Sequence, residues 1–264
     1  MSQQGISLPT RPDSWRKRVR LFRDWRFEES SKFARKARSD RSVYFACKRL
    51  LDAAIAGTML IALFPLMVIV AILIKLDSPG PVFFVQERVG AKRRRTREGA
   101  VWITQRFYFY KFRTMFQNSD ESVHRACSRD FVGGYIDKFV DEGEASIKFK
   151  LVNDSRVTRV GRLLRKASID ELPQLINVLA GDMSLVGPRP VPPYEVALYK
   201  KFHYERLTAL PGITGLWQVN GRCRVPFEEM VRMDLQLIRN PSLWLDIKIL
   251  FLTIPAVLSQ RGAD

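Results

Sequence analysis

The chain has 264 residues, 46% of them hydrophobic, with 44 Lys/Arg against 27 Asp/Glu and a formal net charge of +17. That length buries one sizeable core with a tail or insertion to spare, and that charge points to an anionic partner: nucleic acid, an acidic membrane surface or a phosphorylated substrate. Cys47, Cys127 and Cys223 lie far apart, and His124 and His203 are the only histidines, which excludes a disulfide framework and a zinc pattern and fits a reduced, cytoplasm-facing chain.

In chain order, residues 1–46 form a basic arm rich in Arg, Trp and Phe; residues 1–49 carry 14 Lys/Arg and 5 Asp/Glu. Such an arm suits an anionic lipid surface and equally a mobile tail. Ala53 to Ile74 is 22 residues without a charge, long enough at 1.5 Å per residue to cross a bilayer core of roughly 30 Å. It starts too far from the terminus for a cleavable signal peptide. Two features argue against a spanning helix. Pro65 falls in mid-run, where it breaks or bends a helix, with Thr58 the nearest upstream hydroxyl for repair and two turns away. Both flanks are basic, Arg41, Lys48 and Arg49 before and Lys75, Arg88 and Arg93 to Arg95 after, so a spanning helix exports one cluster against the positive-inside tendency. On physics alone spanning and re-entrant stay open.

Prolines and a glycine turn the chain after Asp77, and Val82–Val85, Val101–Ile103 and Phe107–Phe112 suit short strands. A hairpin ending in Lys111-Phe112-Arg113 sets Lys111 and Arg113 on one face, two cations for a diphosphate; solvated strand charges are the plain alternative. Residues 116–150 reverse the charge, with 5 Lys/Arg and 7 Asp/Glu, and read as an acidic insertion or lid.

Ser168 to Pro190 is the most informative stretch. Leu172, Leu175, Ile176 and Leu179 follow the spacing of a helix with one buried face, stopped by Gly181. Ser168 and Glu171 read as a capping box, although Pro173 favours a later start. Asp170 and Glu171 are an adjacent acidic pair in a basic chain, preceded by Arg165 and Lys166. Arg189 stands between Pro188 and Pro190, on a stiffened backbone suited to offering a guanidinium fork to phosphate. A basic rim around an acidic dyad fits phosphoryl transfer; a capped surface helix is the plain reading. PGITGLWQVNGR (residues 211–222) reads as a tight structural loop, with Trp217 stacking on a base as the functional alternative. Leu243 to Leu258 is too interrupted to span; with Asp246 and Lys248 on one side it lies in the headgroup layer or serves as a core helix.

In order, KRLLDAAIAG, LDSPGPVFFVQERVG, YKFRTM, RKASIDELPQLINVLAGDMSLVGPRP and LPGITGLWQVNGR resemble the bacterial sugar transferase family, the small monotopic phosphoglycosyl transferases, over roughly residues 47–258. The resemblance implies an α+β, mostly helical fold. Its parts are a re-entrant helix–break–helix at 47–76 centred on Pro65, interfacial helices, a catalytic domain at 77–258 with a short β-hairpin, and a tail at 259–264. It implies transfer of a sugar-1-phosphate from a UDP-sugar to polyprenyl (undecaprenyl) phosphate, releasing UMP, as the first membrane step of exopolysaccharide, capsule, O-antigen or glycoprotein glycan synthesis. Asp170 would be the nucleophile of a ping-pong cycle through an aspartyl phosphosugar, with Glu171 assisting. Mg²⁺ would sit near Asp170, and Lys111, Arg113, Arg165 and Arg189 would hold phosphates. The implied site is the cytoplasmic face of the bacterial inner membrane, on anionic lipid, with no nucleic acid bound; a homodimer is compatible with it. Phe64-Pro65 departs from the family's usual Ser-Pro. The rival class is a membrane-tethered basic module binding nucleic acid or protein; a processive glycosyltransferase is disfavoured because no second acidic metal motif stands out.

Overall fold

The structure is a computed structural model that describes residues 34–36, 41–97, 99–135, 154–221 and 224–259. Most of the expected N-terminal arm, residues 136–150 of the acidic insertion and the tail beyond 259 lie outside the described residues.

Helix α1 (Ser42–Asp77) carries the apolar run and starts five residues ahead of the expected boundary. At 1.5 Å per residue its 36 residues span about 54 Å. The expected break at Pro65 is corrected: the backbone stays helical through the proline, which lies inside the helix. Thr58 does not repair that position, since its hydroxyl donates to Ala54 O one turn back. What holds the helix across Pro65 is packing. Lys48, Asp52, Ala56, Met67, Val70 and Ile74 are its buried positions, and Leu60 packs between the two groups. At 100° per residue these fall on one stripe running past the proline. The opposite face is apolar and bare, with Ile61 80% and Leu76 79% exposed, so it has no partner among the described residues.

Both ends of α1 are tied to the same body. Near its start, Lys48 Nζ pairs with Asp246 Oδ2 at 3.0 Å, Tyr44 Oη donates to the same oxygen, and Asp52 accepts from Ser184 Oγ and Leu185 N. At its end, Asp77 Oδ2 accepts from Val160 N at 3.1 Å.

Strands β2 (Phe83–Thr96) and β3 (Gly99–Phe112) pair residue for residue as one long antiparallel hairpin. The three short strands expected from the sequence are pieces of it. A short strand β1 (Ala34–Lys36) adds to the outer side of β3, giving the order β1-β3-β2. A parallel pair, β4 (Ser184–Val186) with β5 (Gly212–Thr214), was not foreseen, because each strand has only three residues.

Helix α2 (Ser122–Gly133) lies in the insertion and packs on α5 (Pro193–Val196) and α7 (Phe227–Arg239). Helices α3 (Arg159–Lys166) and α4 (Gln174–Ala180) sit between α1 and the hairpin. The main core joins Ala56 of α1, Phe107 and Phe109 of β3, Leu175 and Val178 of α4, and Ile249 of the last helix. A short helix α6 (Leu216–Asn220) precedes α7. That last helix, α8 (Leu243–Leu258), buries only Asp246 and Ile249, while Trp244, Phe251 and Leu258 are exposed. Asp246 was expected on a watery face beside Lys248; instead it is buried as the partner of Lys48.

Candidate active site

Asp170 and Glu171 lie on a single 3₁₀ turn (Ile169–Glu171) between α3 and α4. The expected capping box is absent. Ser168 has a left-handed backbone, φ 56°, and its hydroxyl makes no cap bond; α4 starts only at Gln174, with Pro173 as its cap. Gly181 ends α4 in the left-handed conformation, as the sequence implies.

The buried face of α4 is also different. Ile176 and Leu179 are over a third exposed, while the polar Gln174 and Asn177 are buried with Leu175 and Val178. Asn177 explains the exchange. Its Oδ1 accepts from Tyr110 N at 3.1 Å and its Nδ2 donates to Tyr108 O at 2.6 Å. One side chain thereby clamps α4, and the acidic turn before it, onto the strand that carries Lys111.

Asp170 is buried, and among the described residues nothing hydrogen-bonds its carboxylate. Burial, and then the neighbouring Glu171 charge, push it well above the usual carboxylate range, against the pull of Lys111, Arg165 and Arg189. For Glu171 burial pushes the same way, but the charge and hydrogen bond of Arg189 outweigh it. Arg189 Nη2 lies 2.6 Å from Glu171 Oε1. One carboxylate is thus neutralised in an ion pair, and the other is left charged, unbonded and electrostatically costly. A carboxylate in that state has the chemistry to attack an electrophile such as phosphorus.

The expected cations divide. Lys111 faces the dyad over the Phe84 ring, and burial lowers its pKa to about 8, with Asp170 the strongest opposing influence. Arg165, in the last turn of α3, donates from Nε to Thr114 Oγ1 and acts on Asp170. Arg113 is a correction. It lies past the end of β3 and is buried, its guanidinium donating to Ser78 O at 2.7 Å, Ser78 Oγ at 2.9 Å and Pro79 O. It satisfies carbonyls stranded at the end of α1, so its Nη atoms face that helix end. The strand ends at Phe112, so alternation does not extend to it. Gly80, at φ 120°, leaves room for this arginine: a Cβ there would sit 2.2 Å from Arg113 Nη1.

Sequence reasoning missed Arg88 as a site residue. It stands on the same hairpin face as Lys111, since Arg88 pairs across with Phe107 and Phe84 with Lys111. Its Nη1 donates to Pro190 O at 3.2 Å, while its Nε is buried without a hydrogen-bond partner. Burial, then Arg189, lowers its pKa to about 10. The signal was partial: alternation puts Arg88 on the face of Phe84, but only the hairpin register joins that face to Lys111.

The two arginines give a clean contrast. Arg113→Met removes several donors from buried carbonyls and is expected to cost roughly 2–3 kcal/mol. Arg88→Met is expected to leave the melting temperature unchanged or higher but to weaken binding of a phosphate ligand roughly 10- to 100-fold. Thermal melts and diphosphate titrations check both; weakened binding with an unchanged melt for Arg113→Met would reassign it to the site.

The GPRP loop is set from behind. Gly187 N donates to Thr214 O and Gly212 N to Pro188 O, and a Cβ on Gly187, Gly212 or Gly215 would come within 2.6 Å of backbone atoms. The PGITG segment is therefore the tight structural loop of the plain reading, and Trp217 packs on the second core cluster.

No cluster of three or more His, Cys, Asp or Glu occurs among the described residues. A divalent ion could be held by Asp170 and a substrate diphosphate, which is how Mg²⁺ is commonly bound.

The bacterial sugar transferase family matches residues 43–260. The exopolysaccharide production protein ExoY of Rhizobium meliloti (strain 1021) is 40% identical over 216 residues, covering 82% of this chain and 87% of that protein. The undecaprenyl-phosphate galactose phosphotransferase of Salmonella typhimurium is 41% identical over 82% of this chain. The UDP-glucose:undecaprenyl-phosphate glucose-1-phosphate transferase of Xanthomonas campestris pv. campestris is 40% identical over 85% of it. The chain spans 41% of the length of each of these last two.

Proposed function

We propose that this chain, which belongs to the bacterial sugar transferase family, is a phosphoglycosyl transferase moving a sugar-1-phosphate from a UDP-sugar to undecaprenyl phosphate. The galactose and glucose phosphotransferase names of its relatives support the reaction class. One observation carries the mechanism: a buried Asp170 with no hydrogen bond beside a Glu171 already neutralised by Arg189.

Asp170 attacks the β-phosphorus of the UDP-sugar. The bond from that phosphorus to the bridging oxygen breaks, and the oxygen leaves with UMP. A phosphate oxygen of the polyprenyl phosphate then attacks the same phosphorus and releases the carboxylate. Lys111, Arg165, Arg189 and Arg88 hold the diphosphate; four cations against Asp170, Glu171 and the nearby Glu195 still leave an excess of positive charge for it. Mg²⁺ held by Asp170 would neutralise the diphosphate. The step begins a surface glycan such as an exopolysaccharide.

The covalent route has a direct test. Mixed with UDP-sugar and no lipid acceptor, the full-length chain is expected to release one equivalent of UMP and gain the mass of one sugar phosphate. UMP release that waits for acceptor, with no adduct, would mean direct transfer.

The chain works on the cytoplasmic face of the inner membrane, with α1 held in the cytoplasmic leaflet and both of its flanks on the cytoplasmic side. Its bare apolar face and its tethers to one body at both ends support this reading; a spanning helix needs its ends on opposite sides. Cysteines at Val43 and Pro81, in a chain lacking its own cysteines, are expected to react with an impermeant maleimide only after cells are opened. Reaction of one of them in intact cells would restore a spanning helix.

A further inference from the structure

The β2–β3 hairpin is far longer than the site requires. Its base meets the end of α1, but its 14-residue strands reach about 46 Å, and only Arg88 and Lys111 serve the dyad. The far end returns to the start of α1: Arg93 lies over the Phe45 ring at 4.7 Å, Phe45 packs edge-on to Trp102, and Lys92 pairs with Asp182 at 2.7 Å. Beyond these anchors the tip is cationic. Residues 92–97 read KRRRTR, and Arg94, Arg95 and Arg97 are exposed.

Its surroundings are those of a membrane interface. Phe45 is eight residues before the charge-free run at Ala53, about 12 Å along the helix. Arg41 donates to Pro241 O at 2.7 Å, and the Asp246 tethers hold the start of α8 there as well. Val43, Leu50 and Trp244, each about three-quarters exposed, leave apolar and aromatic side chains on this end of the molecule. Tryptophan beside arginine at the mouth of an apolar segment is the composition of a headgroup layer. Strand β1 pairs with Val101 to Ile103, so the basic arm seen in the sequence joins the hairpin at this same end.

We propose that Arg94, Arg95 and Arg97 form a docking site for anionic lipid headgroups, a second, electrostatic foot beside the apolar anchor α1. The strands stay paired from foot to dyad, so the foot sets the height of Lys111 and Arg88 above the bilayer. The proposal rests on the membrane reading above, and incorporation of the chain into lipid discs tests that reading separately.

The experiment uses the full chain with its own cysteines replaced by serine and a fluorophore on Thr96→Cys. It is incorporated into discs of phosphatidylcholine alone, or with roughly 30% phosphatidylglycerol, both containing a headgroup-nitroxide lipid. Quenching is expected with the anionic lipid and is expected to vanish at about 0.5 M NaCl. The docked-to-undocked ratio is expected to fall about fivefold per arginine removed, and on the order of 100-fold in R94Q/R95Q/R97Q. R94K/R95K/R97K is expected to keep it. The glutamine variant should turn over in detergent like the parent, since none of the three is in the site. Equal quenching in both discs, or quenching that survives the glutamine triple, overturns the proposal. So does an unquenched tip that instead binds polyuridylic acid, which would assign the surface to nucleic acid.

Discussion

Asp170→Asn is expected to abolish turnover, lowering UMP release on the order of 10⁴-fold or more, as loss of a covalent nucleophile does, while the fold survives. Stability supplies the control. A folded-state pKa raised above the unfolded value means that the ionised carboxylate costs stability at neutral pH, so the neutral amide should melt no lower than the parent. An inactive variant that also melts much lower would have lost its fold rather than its attacker. Full turnover in a UMP-release assay would remove Asp170 from the mechanism.

The same electrostatics fix the pH profile. Attack needs Asp170 ionised, so kcat/KM should rise with pH through a limb well above an ordinary aspartate. Phosphate binding needs Lys111 charged, so activity should fall above about 8. Glu171→Gln removes a like charge and should move the acid limb to lower pH. The limb should not return to the ordinary value, because burial is the larger cause. A limb that stays put in Glu171→Gln belongs to another group.

That Asp170, Glu171 and Arg189 belong to one candidate site was legible because each is marked locally, by an acidic pair in a basic chain and by prolines fixing an arginine; Arg165 was legible from its place just before the pair. Lys111 was legible from alternation, and the same rule failed one step later because β3 ends at Phe112. Whether Arg113 faces solvent or a helix end is a tertiary fact. The capping box failed because Ser168 takes a left-handed backbone, which returns its hydroxyl from the cap. The stripe of α4 misled because Asn177 trades a helix face for two backbone bonds to β3. Hydrophobic spacing cannot see a polar clamp. The length of the hairpin was hidden too, since its basic distal half lacks the alternation that marks a half-buried strand.

The largest stability effect is expected behind the GPRP loop. Arg206 and Asp234 are both buried, with Arg206 Nε 2.8 Å from Asp234 Oδ2 and Nη1 donating to Tyr199 Oη at 2.6 Å; Tyr199 in turn donates to Glu195 at 3.2 Å. Arg206 and Tyr199 line the same small recess as Pro188 and Arg189 of the loop. Arg206→Met leaves Asp234 buried without its cation and should cost roughly 3–5 kcal/mol. Burial already lifts Asp234 to about 6, and losing Arg206 lifts it further. Folding would then take up a proton, so the penalty should shrink as pH falls through that raised pKa. Arg206→Met with Asp234→Leu removes both charges and should recover most of the loss. Chemical denaturation of the single and double variants at two pH values decides it. A double variant no more stable than the single would mean that Arg206 works through Tyr199 and Glu195 rather than through its ion pair.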